Sequence, residues 1–170
     1  MTTAASRPVT RIASLAPAHR ASVERILRST ARFRDAEVDV ALELFDAAFS
    51  LHGVPHDPDY HFLGAFDARG ALVGFVTFGP TPQTRGTWDL YWIAVAAEAQ
   101  GLGAGRALLD AVEARVAALG ARLLLIETSS RDDYERTRRF YAARGYAERA
   151  RIRGFYAPDD DRLMLTKTLR

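Results

Sequence analysis

Three glycines, Gly101, Gly103 and Gly105, alternate with single residues directly before a long run of helix formers. Glycine costs roughly 0.5–1 kcal/mol relative to alanine inside regular structure, so such a cluster needs a reason. Glycines let backbone amides converge on a ligand, and the start of the following helix adds unpaired N–H groups and a positive dipole. Arg106, in the predicted first helical turn, adds a formal charge. The stretch predicts a pyrophosphate site; the alternative is a tight strand-to-helix connection in which glycine only relieves crowding.

Two familiar phosphate-binding loops do not fit this spacing. A dinucleotide fingerprint requires G-x-G-x-x-G, but the sixth position is Arg106 when counted from Gly101 and Leu108 when counted from Gly103. A P-loop requires a Gly-Lys-Ser/Thr ending, and the residues that follow Gly105 are arginine, alanine and leucine. Both motifs are therefore excluded. This loop shares with them only the general principle that glycine amides and a helix start can bind a phosphate.

Composition limits the class of protein. The chain has 170 residues, 48% of them hydrophobic, which is enough for one domain over residues 1–170. It has no cysteine, which excludes disulfides, thiolate zinc sites and a cysteine nucleophile. No apolar run approaches the roughly 18 residues that span a bilayer, and no signal peptide is evident, so we expect a cytoplasmic protein without membrane association. The net charge is only +2 and acidic residues are interleaved with arginines, so no nucleic-acid partner is expected.

Hydrophobic periodicity predicts the element order β-α-α-β-β-β-α-β-α-β-β, a mixed α/β domain without linkers or repeats. The segments HFLGAFD and ALVGFVTFG form a predicted antiparallel hairpin, and TWDLYWIAV is the next strand. The continuous apolar run ARLLLIETS predicts a central strand covered on both faces. The helix after the glycine loop ends at Gly120, and its predicted inner face comprises Leu108, Leu109, Val112, Val116 and Leu119.

Two motifs resemble those of a known family, the GNAT superfamily of N-acetyltransferases. The stretch Gln100–Gly105 matches the family's motif [Q/R]-x-x-G-x-[G/A], and it stands between a strand and a long amphipathic helix, as in that family. The later stretch RRFYAARGY, Arg138 to Tyr146, resembles the second signature, in which an aromatic-tyrosine pair on a helix precedes a glycine-aromatic pair. The element order also agrees, so the resemblance covers nearly the whole chain.

The resemblance implies a fold and a cofactor site. The fold is a mostly antiparallel sheet of about seven strands with about four helices, in which the fourth and fifth strands splay apart and acetyl-CoA enters between them. No metal is implied. The strand edge at Ile93, Ala94 and Val95 would pair with the pantetheine amides, as an added strand does. Tyr134 stands where many members have an asparagine that contacts the pantetheine arm. The pyrophosphate would be held by backbone amides of Gln100, Gly101, Leu102, Gly103, Ala104, Gly105 and Arg106.

The catalytic residues are less clearly indicated. Tyr141, which the resemblance places near the thioester sulfur, is the predicted general acid, because a phenol with a pKa near 10 suits a thiolate leaving group; the alternative is a core aromatic. The N–H of Val95 is a candidate hydrogen-bond donor to the carbonyl oxygen of the thioester. The base is Glu127, Asp89 or a water chain. Glu127 could instead cap a helix or pair with an arginine, and Asp89 could face solvent.

Two segments are candidates for acceptor binding. Tyr60 lies in the histidine-containing segment LHGVPHDPDYH, whose histidine spacing fits no standard metal site. Tyr156, with Asp159, Asp160 and Asp161, could receive a cationic amine, or the turn could simply be solvated. The resemblance thus implies transfer of an acetyl group from acetyl-CoA to a primary amine of a small molecule or an amino-acid-like acceptor. Because the chain has no cysteine to serve as a covalent relay, we expect direct attack in a ternary complex. The alternatives are a non-catalytic acyl-CoA sensor and a protein or peptide acetyltransferase. Homodimers are common in the family, so the resemblance also suggests a homodimer.

Overall fold

The computed structural model describes residues 9–169 of the protein. Seven strands form one sheet in the order β1-β2-β3-β4-β5-β7-β6. Four α-helices accompany the sheet, together with three short 3₁₀ turns. The strands are β1 Val9–Ser14, β2 His61–Asp67, β3 Leu72–Pro80, β4 Thr87–Val95, β5 Leu123–Ser129, β6 Ala147–Ala157 and β7 Asp160–Thr168. The helices are α1 Arg20–Ser29, α2 Asp35–Phe49, α3 Ala104–Ala118 and α4 Glu135–Ala142. The predicted element order is confirmed.

The pairing of the strands is mostly antiparallel, as expected. The predicted hairpin of β2 and β3 is antiparallel, and so are the pairs β1–β2, β5–β7 and β6–β7. The pair of β4 and β5 is parallel, and its register runs from Thr87↔Leu123 to Leu90↔Ile126. Both strands continue beyond this register, β4 to Val95 and β5 to Ser129. The predicted fold class is therefore confirmed in strand number, direction and helix number.

By its internal contacts the described chain divides into two compact units. The first comprises the described residues up to Gly79 together with Trp92–Arg115, and the second comprises Pro80–Tyr91 together with the described residues from Val116 onward. The division falls inside β4 and inside α3. That residues 1–170 form one domain stays a prediction.

The core of the first unit is aromatic. Phe45 of α2 meets Phe62 of β2 edge to face, with ring centroids 5.0 Å apart, and Phe75 of β3 stacks on Phe62 at 6.3 Å. Such pairs add roughly 0.5–1.5 kcal/mol to the burial of their area. In α1 the helical spacing of Val23, Ile26 and Leu27 buries all three side chains. The aromatic contacts fix α2 on the hairpin.

Helix α3 follows the sequence prediction except at its end. Leu108, Leu109, Val112 and Val116 are completely buried, but Leu119 is 54% exposed. The helix ends at Ala118, and the chain then turns through Gly120 at φ +83°. Leu119 therefore lies in the turn and not on the inner face. Gly120 ends the helix as predicted, because its positive φ favours a residue without Cβ.

In the second unit, β5 is not covered on both faces, which corrects the sequence prediction. Leu124 and Ile126 are buried, whereas Leu125 is only partly buried and Glu127 is exposed. Alternate residues of a strand point to opposite faces, so one face of β5 packs in the core and the other is partly open. The apolar run of the sequence does not indicate this difference, because leucines lie on both faces of the strand. The open face carries the carboxylates described below.

A buried ion pair in the first unit makes stability depend on pH. Asp46 is almost fully buried and accepts two hydrogen bonds from Arg20, at 2.6 and 2.8 Å, and His52 Nδ1 lies 3.3 Å from it. The Arg20 guanidinium holds the pKa of the Asp46 carboxyl below its ordinary value of 3.8. The stabilisation is therefore complete above that value and is lost as the pH falls below it.

Arg20→Leu is expected to lower the free energy of unfolding by about 1–3 kcal/mol at neutral pH, because it removes both hydrogen bonds that Arg20 donates to a buried carboxylate. Since protonation removes this penalty, the difference from wild type should shrink toward pH 3. Urea unfolding from pH 7 to pH 3 measures it. Arg28→Leu, which breaks exposed ion pairs with Glu24 and Asp35, is the control and should cost about 0.5 kcal/mol or less. A constant difference across the pH range would contradict the role of Asp46.

Candidate active site

The glycine loop has the backbone conformation that its sequence predicts. Gly101 and Gly103 have φ values of +81° and +85°, a region that residues with a Cβ rarely adopt. An added Cβ at either position would meet no atom within 4 Å. The glycines are therefore required by the path of the backbone, and the alternative that they relieve crowding is wrong for these two positions. The space beside them is open to a ligand.

The start of α3 follows this loop directly. The Ala107 N–H donates to Gly103 O at 2.9 Å, so the amides of Ala104, Gly105 and Arg106 precede the first intrahelical bond. The Arg106 side chain is 71% exposed and contacts only Asp110, at 3.5 Å, among the described ion pairs. A glycine turn, a helix start and an exposed guanidinium together fit a pyrophosphate group.

The strand before the loop is held firmly. Gln100 Nε2 donates to Val95 O at 3.2 Å, and the Ala96 N–H donates to Val73 O at 2.9 Å. On β3 an added Cβ at Gly74 would lie 3.1 Å from Ala94 O, closer than most Cβ contacts, so glycine favours this close approach. The loop therefore begins from a fixed point. Within this segment Ala94 is buried, Ile93, Val95 and Leu102 are partly buried, and Gln100 is exposed.

Tyr141, the predicted general acid, lies in the second unit on α4. Its side chain is buried, and its ring meets those of Phe140 and Tyr146 edge to face, at 5.3 and 5.7 Å. Burial raises the pKa of the Tyr141 phenol well above its ordinary value of 10.0. The phenol is thus a weaker acid than the sequence suggested, but it keeps its proton at every pH at which the protein would be assayed. Its catalytic role stays a prediction.

Tyr134 ends a 3₁₀ turn before α4 and is partly exposed. The Arg131 guanidinium lies over its ring, 5.5 Å from the centroid. Its predicted contact with the pantetheine arm stays a prediction.

The two candidate carboxylates differ sharply in environment. Asp89 on β4 is partly buried, and Thr81 Oγ1 donates to its Oδ2 at 2.7 Å. Burial raises the pKa of the Asp89 carboxyl, and the charge of Glu127 raises it further. Glu127 on β5 is exposed and forms an ion pair with Arg162 of β7. The arginine pair that the sequence left open for Glu127 is therefore present.

The register of the sheet places these groups on one face. Asp89 is opposite Leu125, and Glu127 follows Leu125 by two residues, so their side chains point to the same side. Glu127 is opposite Met164, and Arg162 lies two residues from Met164 on β7. Asp89, Glu127 and Arg162 thus share the open face of the second unit.

Exposed aromatic residues stand beside this face. Tyr156 and Phe155 of β6 are 47% and 49% exposed, and their rings meet edge to face with centroids 5.0 Å apart. The Arg162 guanidinium lies over the Phe155 ring, 4.8 Å from its centroid. Burial raises the pKa of the Tyr156 phenol, and the charge of Glu127 adds to the effect. The predicted acceptor residue Tyr156 is therefore close enough to Glu127 to sense its charge.

Two of the three aspartates after Tyr156 have structural roles. Asp160 is only 5% exposed and accepts hydrogen bonds from Ser129 Oγ and the Ser130 N–H. Asp161 accepts the Gly154 N–H at 2.9 Å and an Arg151 contact at 3.1 Å, and the Gly154 N–H lowers its pKa. Both are unsuited to receive an amine, which corrects the sequence hypothesis; only Asp159 is exposed. These bonds tie the β6–β7 hairpin to the end of β5.

Tyr60, the other candidate acceptor residue, belongs to the first unit and lines a shallow depression of about 170 Å³ with His61, Phe49, Phe78 and Arg115, among others. The His61 ring stacks on Phe78 at 5.4 Å, and burial lowers the pKa of His61. Its contact with an acceptor stays a prediction. Among residues 9–169, no group of three or more His, Cys, Asp or Glu side chains stands close enough to hold a metal ion.

Comparison with known proteins gives a consistent result. A model of the acetyltransferase (GNAT) family matches residues 21–146. A protein from Desulfovibrio desulfuricans assigned to the GNAT family of acetyltransferases is 39% identical, with a TM-score of 0.86 over 94% of this chain and 99% of that one. No curated protein was found to match.

Two more distant structures share the fold. An aminoglycoside 6'-N-acetyltransferase, solved with coenzyme A, is 19% identical, with a TM-score of 0.73 over 95% of this chain and 98% of that one. The ribosomal-protein-S18-alanine N-acetyltransferase from Escherichia coli is 18% identical, with a TM-score of 0.74 over 94% and 93%.

The family match and the 39% identity show that this chain belongs to the acetyltransferase (GNAT) family, as its two motifs predicted. It is an acyltransferase of a family that uses acetyl-CoA, so the alternative of a sensor without catalysis is set aside. In the part of the chain that the structure describes, no helix is long and apolar enough to span a membrane.

Proposed function

We propose that this protein transfers an acetyl group from acetyl-CoA to a primary amine of a small or amino-acid-like acceptor, by direct attack in a ternary complex. The observation that carries the proposal is the loop before α3, where two glycines with positive φ leave open space beside the unpaired amides of a helix start. A loop of this kind is suited to bind the diphosphate of a coenzyme, because the start of a helix provides N–H donors for an anion.

The residues that would hold acetyl-CoA belong to the first unit. The amides of the segment from Gln100 to Arg106 and the exposed Arg106 side chain would bind the diphosphate. The edge of β4 at Ile93, Ala94 and Val95 would pair with the pantetheine amides. When bound, acetyl-CoA supplies an acyl group activated as a thioester.

Acetyl transfer requires two proton movements, and the sequence motifs and the carboxylates described above offer candidate groups for both. A C–N bond forms as the C–S bond breaks, the amine loses a proton, and the leaving sulfur gains one. Tyr141, which stays protonated because it is buried, is suited to donate to the sulfur. Asp89 and Glu127 are the two candidate carboxylates for accepting the amine proton, and Glu127 is paired with Arg162. The Val95 N–H would polarise the carbonyl oxygen.

The open face of the second unit supports an amine as the acceptor. Two carboxylates, Asp89 and Glu127, stand against the guanidinium of Arg162 on this face, and Tyr156 provides exposed aromatic surface, which together favour a cation. The acceptors named for the two distant structures, an aminoglycoside and a ribosomal-protein alanine, are amines as well.

A panel of acceptors tests the proposal. Release of the coenzyme A thiol from acetyl-CoA is measured with kanamycin, spermidine, phenethylamine, lysine amide and a peptide with N-terminal alanine, and products are identified by mass spectrometry. We expect N-acetylation of at least one small amine, and no reaction with phenethyl alcohol as the matched control. Acetylation of the peptide alone would indicate a protein or peptide acetyltransferase. Binding of acetyl-CoA without transfer to any amine would contradict the proposed function.

A further inference from the structure

We propose that Asp89 accepts the proton of the acceptor amine, and that Arg162 is a positioning residue that engages Glu127 and so leaves Asp89 as the base. This inference rests on the function proposed above. It selects between two carboxylates that the sequence leaves equivalent.

The first argument concerns Glu127. Its carboxylate is in contact with the guanidinium of Arg162, a group that stays charged at any pH of interest. This guanidinium is itself held in place: it lies 4.8 Å from the Phe155 ring centroid, and its Nε atom is buried. A carboxylate in such a contact must separate from a fixed positive charge before it accepts a proton. Glu127 is therefore a poor base while Arg162 remains in place.

The second argument concerns Asp89. Thr81 donates to Oδ2, and in the part of the chain that the structure describes no donor contacts Oδ1, so one oxygen is available for a proton. The side chain is about half-buried, which disfavours its charged form. The charged groups that act on it are Glu127 of β5, which raises its pKa, and Arg162 of β7, which lowers it. Asp89 is thus more basic than an ordinary aspartate, whereas Glu127 is occupied.

The amine reacts in its neutral form, so an acceptor that binds as a cation first releases one proton to solvent. In the proposed reaction the lone pair of the neutral amine nitrogen then forms the new bond to the acyl carbon. The electron pair of the C–S bond stays with sulfur, which takes a proton from the Tyr141 phenol. The second proton, released by the amine nitrogen, goes to Oδ1 of Asp89. Arg162 does not touch the reacting atoms in this scheme, and it acts only through Glu127 and through the charge that Asp89 experiences.

Kinetics with the panel amine that wild type acetylates fastest test these roles. Asp89→Asn is expected to lower kcat by about 100-fold or more, the usual contribution of a general base. Glu127→Gln should lower it by less than about 10-fold, because its carboxylate is not the proton acceptor. Arg162→Gln should move the acidic limb of the kcat/KM profile to higher pH, by about half a unit or more, because the loss of a positive charge makes Asp89 more basic. Arg162→Lys should restore the wild-type profile in large part.

A measurement without any acceptor tests the same arrangement. The protein is labelled with ¹³C at the aspartate carboxyl carbons, and the Asp89 signal is assigned by its loss in Asp89→Asn. We expect the pKa of Asp89 to lie above 3.8 in wild type, to rise in Arg162→Gln and to fall in Glu127→Gln. Acetyl-CoA affinity and thermal stability of each variant show whether the fold is retained.

The outcomes separate the two proposals. Suppose that wild type acetylates an amine. If Asp89→Asn then keeps a near-normal kcat, or if Glu127→Gln lowers kcat more than Asp89→Asn does, the assignment of the base is wrong and the proposed function stands. If Arg162→Gln moves neither the pH profile nor the NMR titration of Asp89, the positioning role is wrong. If wild type acetylates no amine, the proposed function fails and this inference fails with it.

Discussion

Gly103→Val is expected to abolish measurable acetyl-CoA binding, which means a rise in Kd of about 100-fold or more, in line with the loss of several charge-assisted hydrogen bonds. Gly103 has a φ of +85°, and valine is among the residues least able to adopt that conformation. The amides that would face the diphosphate must then turn away or bear the strain. The added side chain would also project into the open space beside the loop. Isothermal titration calorimetry with acetyl-CoA measures the effect.

Gly70→Val is the matched control for this experiment. Gly70 has a φ of +77°, an added Cβ there would also meet no atom within 4 Å, and it lies in the turn between β2 and β3. It therefore introduces similar backbone strain at a position without a predicted ligand. We expect wild-type affinity for acetyl-CoA in this variant. Unchanged binding in a folded Gly103→Val protein would mean that the glycine loop is only a turn, and the coenzyme site would have to lie elsewhere.

Tyr141→Phe is expected to lower kcat by about 100-fold or more while the Kd of acetyl-CoA changes little. The substitution removes one hydroxyl from a buried ring and keeps the ring contacts with Phe140 and Tyr146. If the phenol donates the proton that the leaving sulfur requires, the loss falls on the chemical step and not on binding. Because burial keeps the phenol protonated, wild-type kcat should not decline up to about pH 10 through Tyr141. Thiol release at saturating acetyl-CoA across this pH range gives both results.

Tyr146→Phe provides the comparison, because it removes a hydroxyl from a buried tyrosine of the same aromatic cluster. We expect its kcat to remain within about 5-fold of wild type, since a structural tyrosine contributes to stability and not to proton transfer. Equal losses in the two variants would point to a disturbed core. Unchanged turnover in Tyr141→Phe would show that Tyr141 is a core residue. Water would then be the proton donor to the leaving sulfur.

Much of the fold was predictable because the relevant signals are local. Helices α1 and α3 follow the spacing of their apolar residues, and the β2–β3 hairpin follows from two apolar segments joined by a short polar turn. The errors have local explanations too. Leu119 lies one residue beyond the end of α3, where periodicity no longer decides burial. In β5, leucines occupy both faces of the strand, so the sequence concealed that one face is partly open.

The candidate site was predictable only in part. The glycine loop and the start of α3 lie where the motif placed them, because that signal is contained in a few consecutive residues. The aspartates after Tyr156 were misjudged, since Asp160 is buried and accepts hydrogen bonds from Ser129 at the end of β5 and from Ser130 directly after it. A pair of serines at the end of a strand is too common to indicate such a contact. No pattern in the sequence indicates Arg162 as the partner of Glu127 either, because the chain contains many arginines.

The sequence by itself determined the conformations that depend on neighbouring residues. Glycine adopts the positive φ of the loop at Gly101 and Gly103 far more readily than residues with a Cβ, and the helix that follows is fixed by its own apolar spacing. The tertiary structure decided which charges meet. Glu127 and Arg162 are 35 residues apart, and Ser129 and Asp160 are 31 apart. Their contacts depend on the register of β5 against β7, which is set by packing of the whole sheet, and so the environments that distinguish Asp89 from Glu127 exist only in the folded protein.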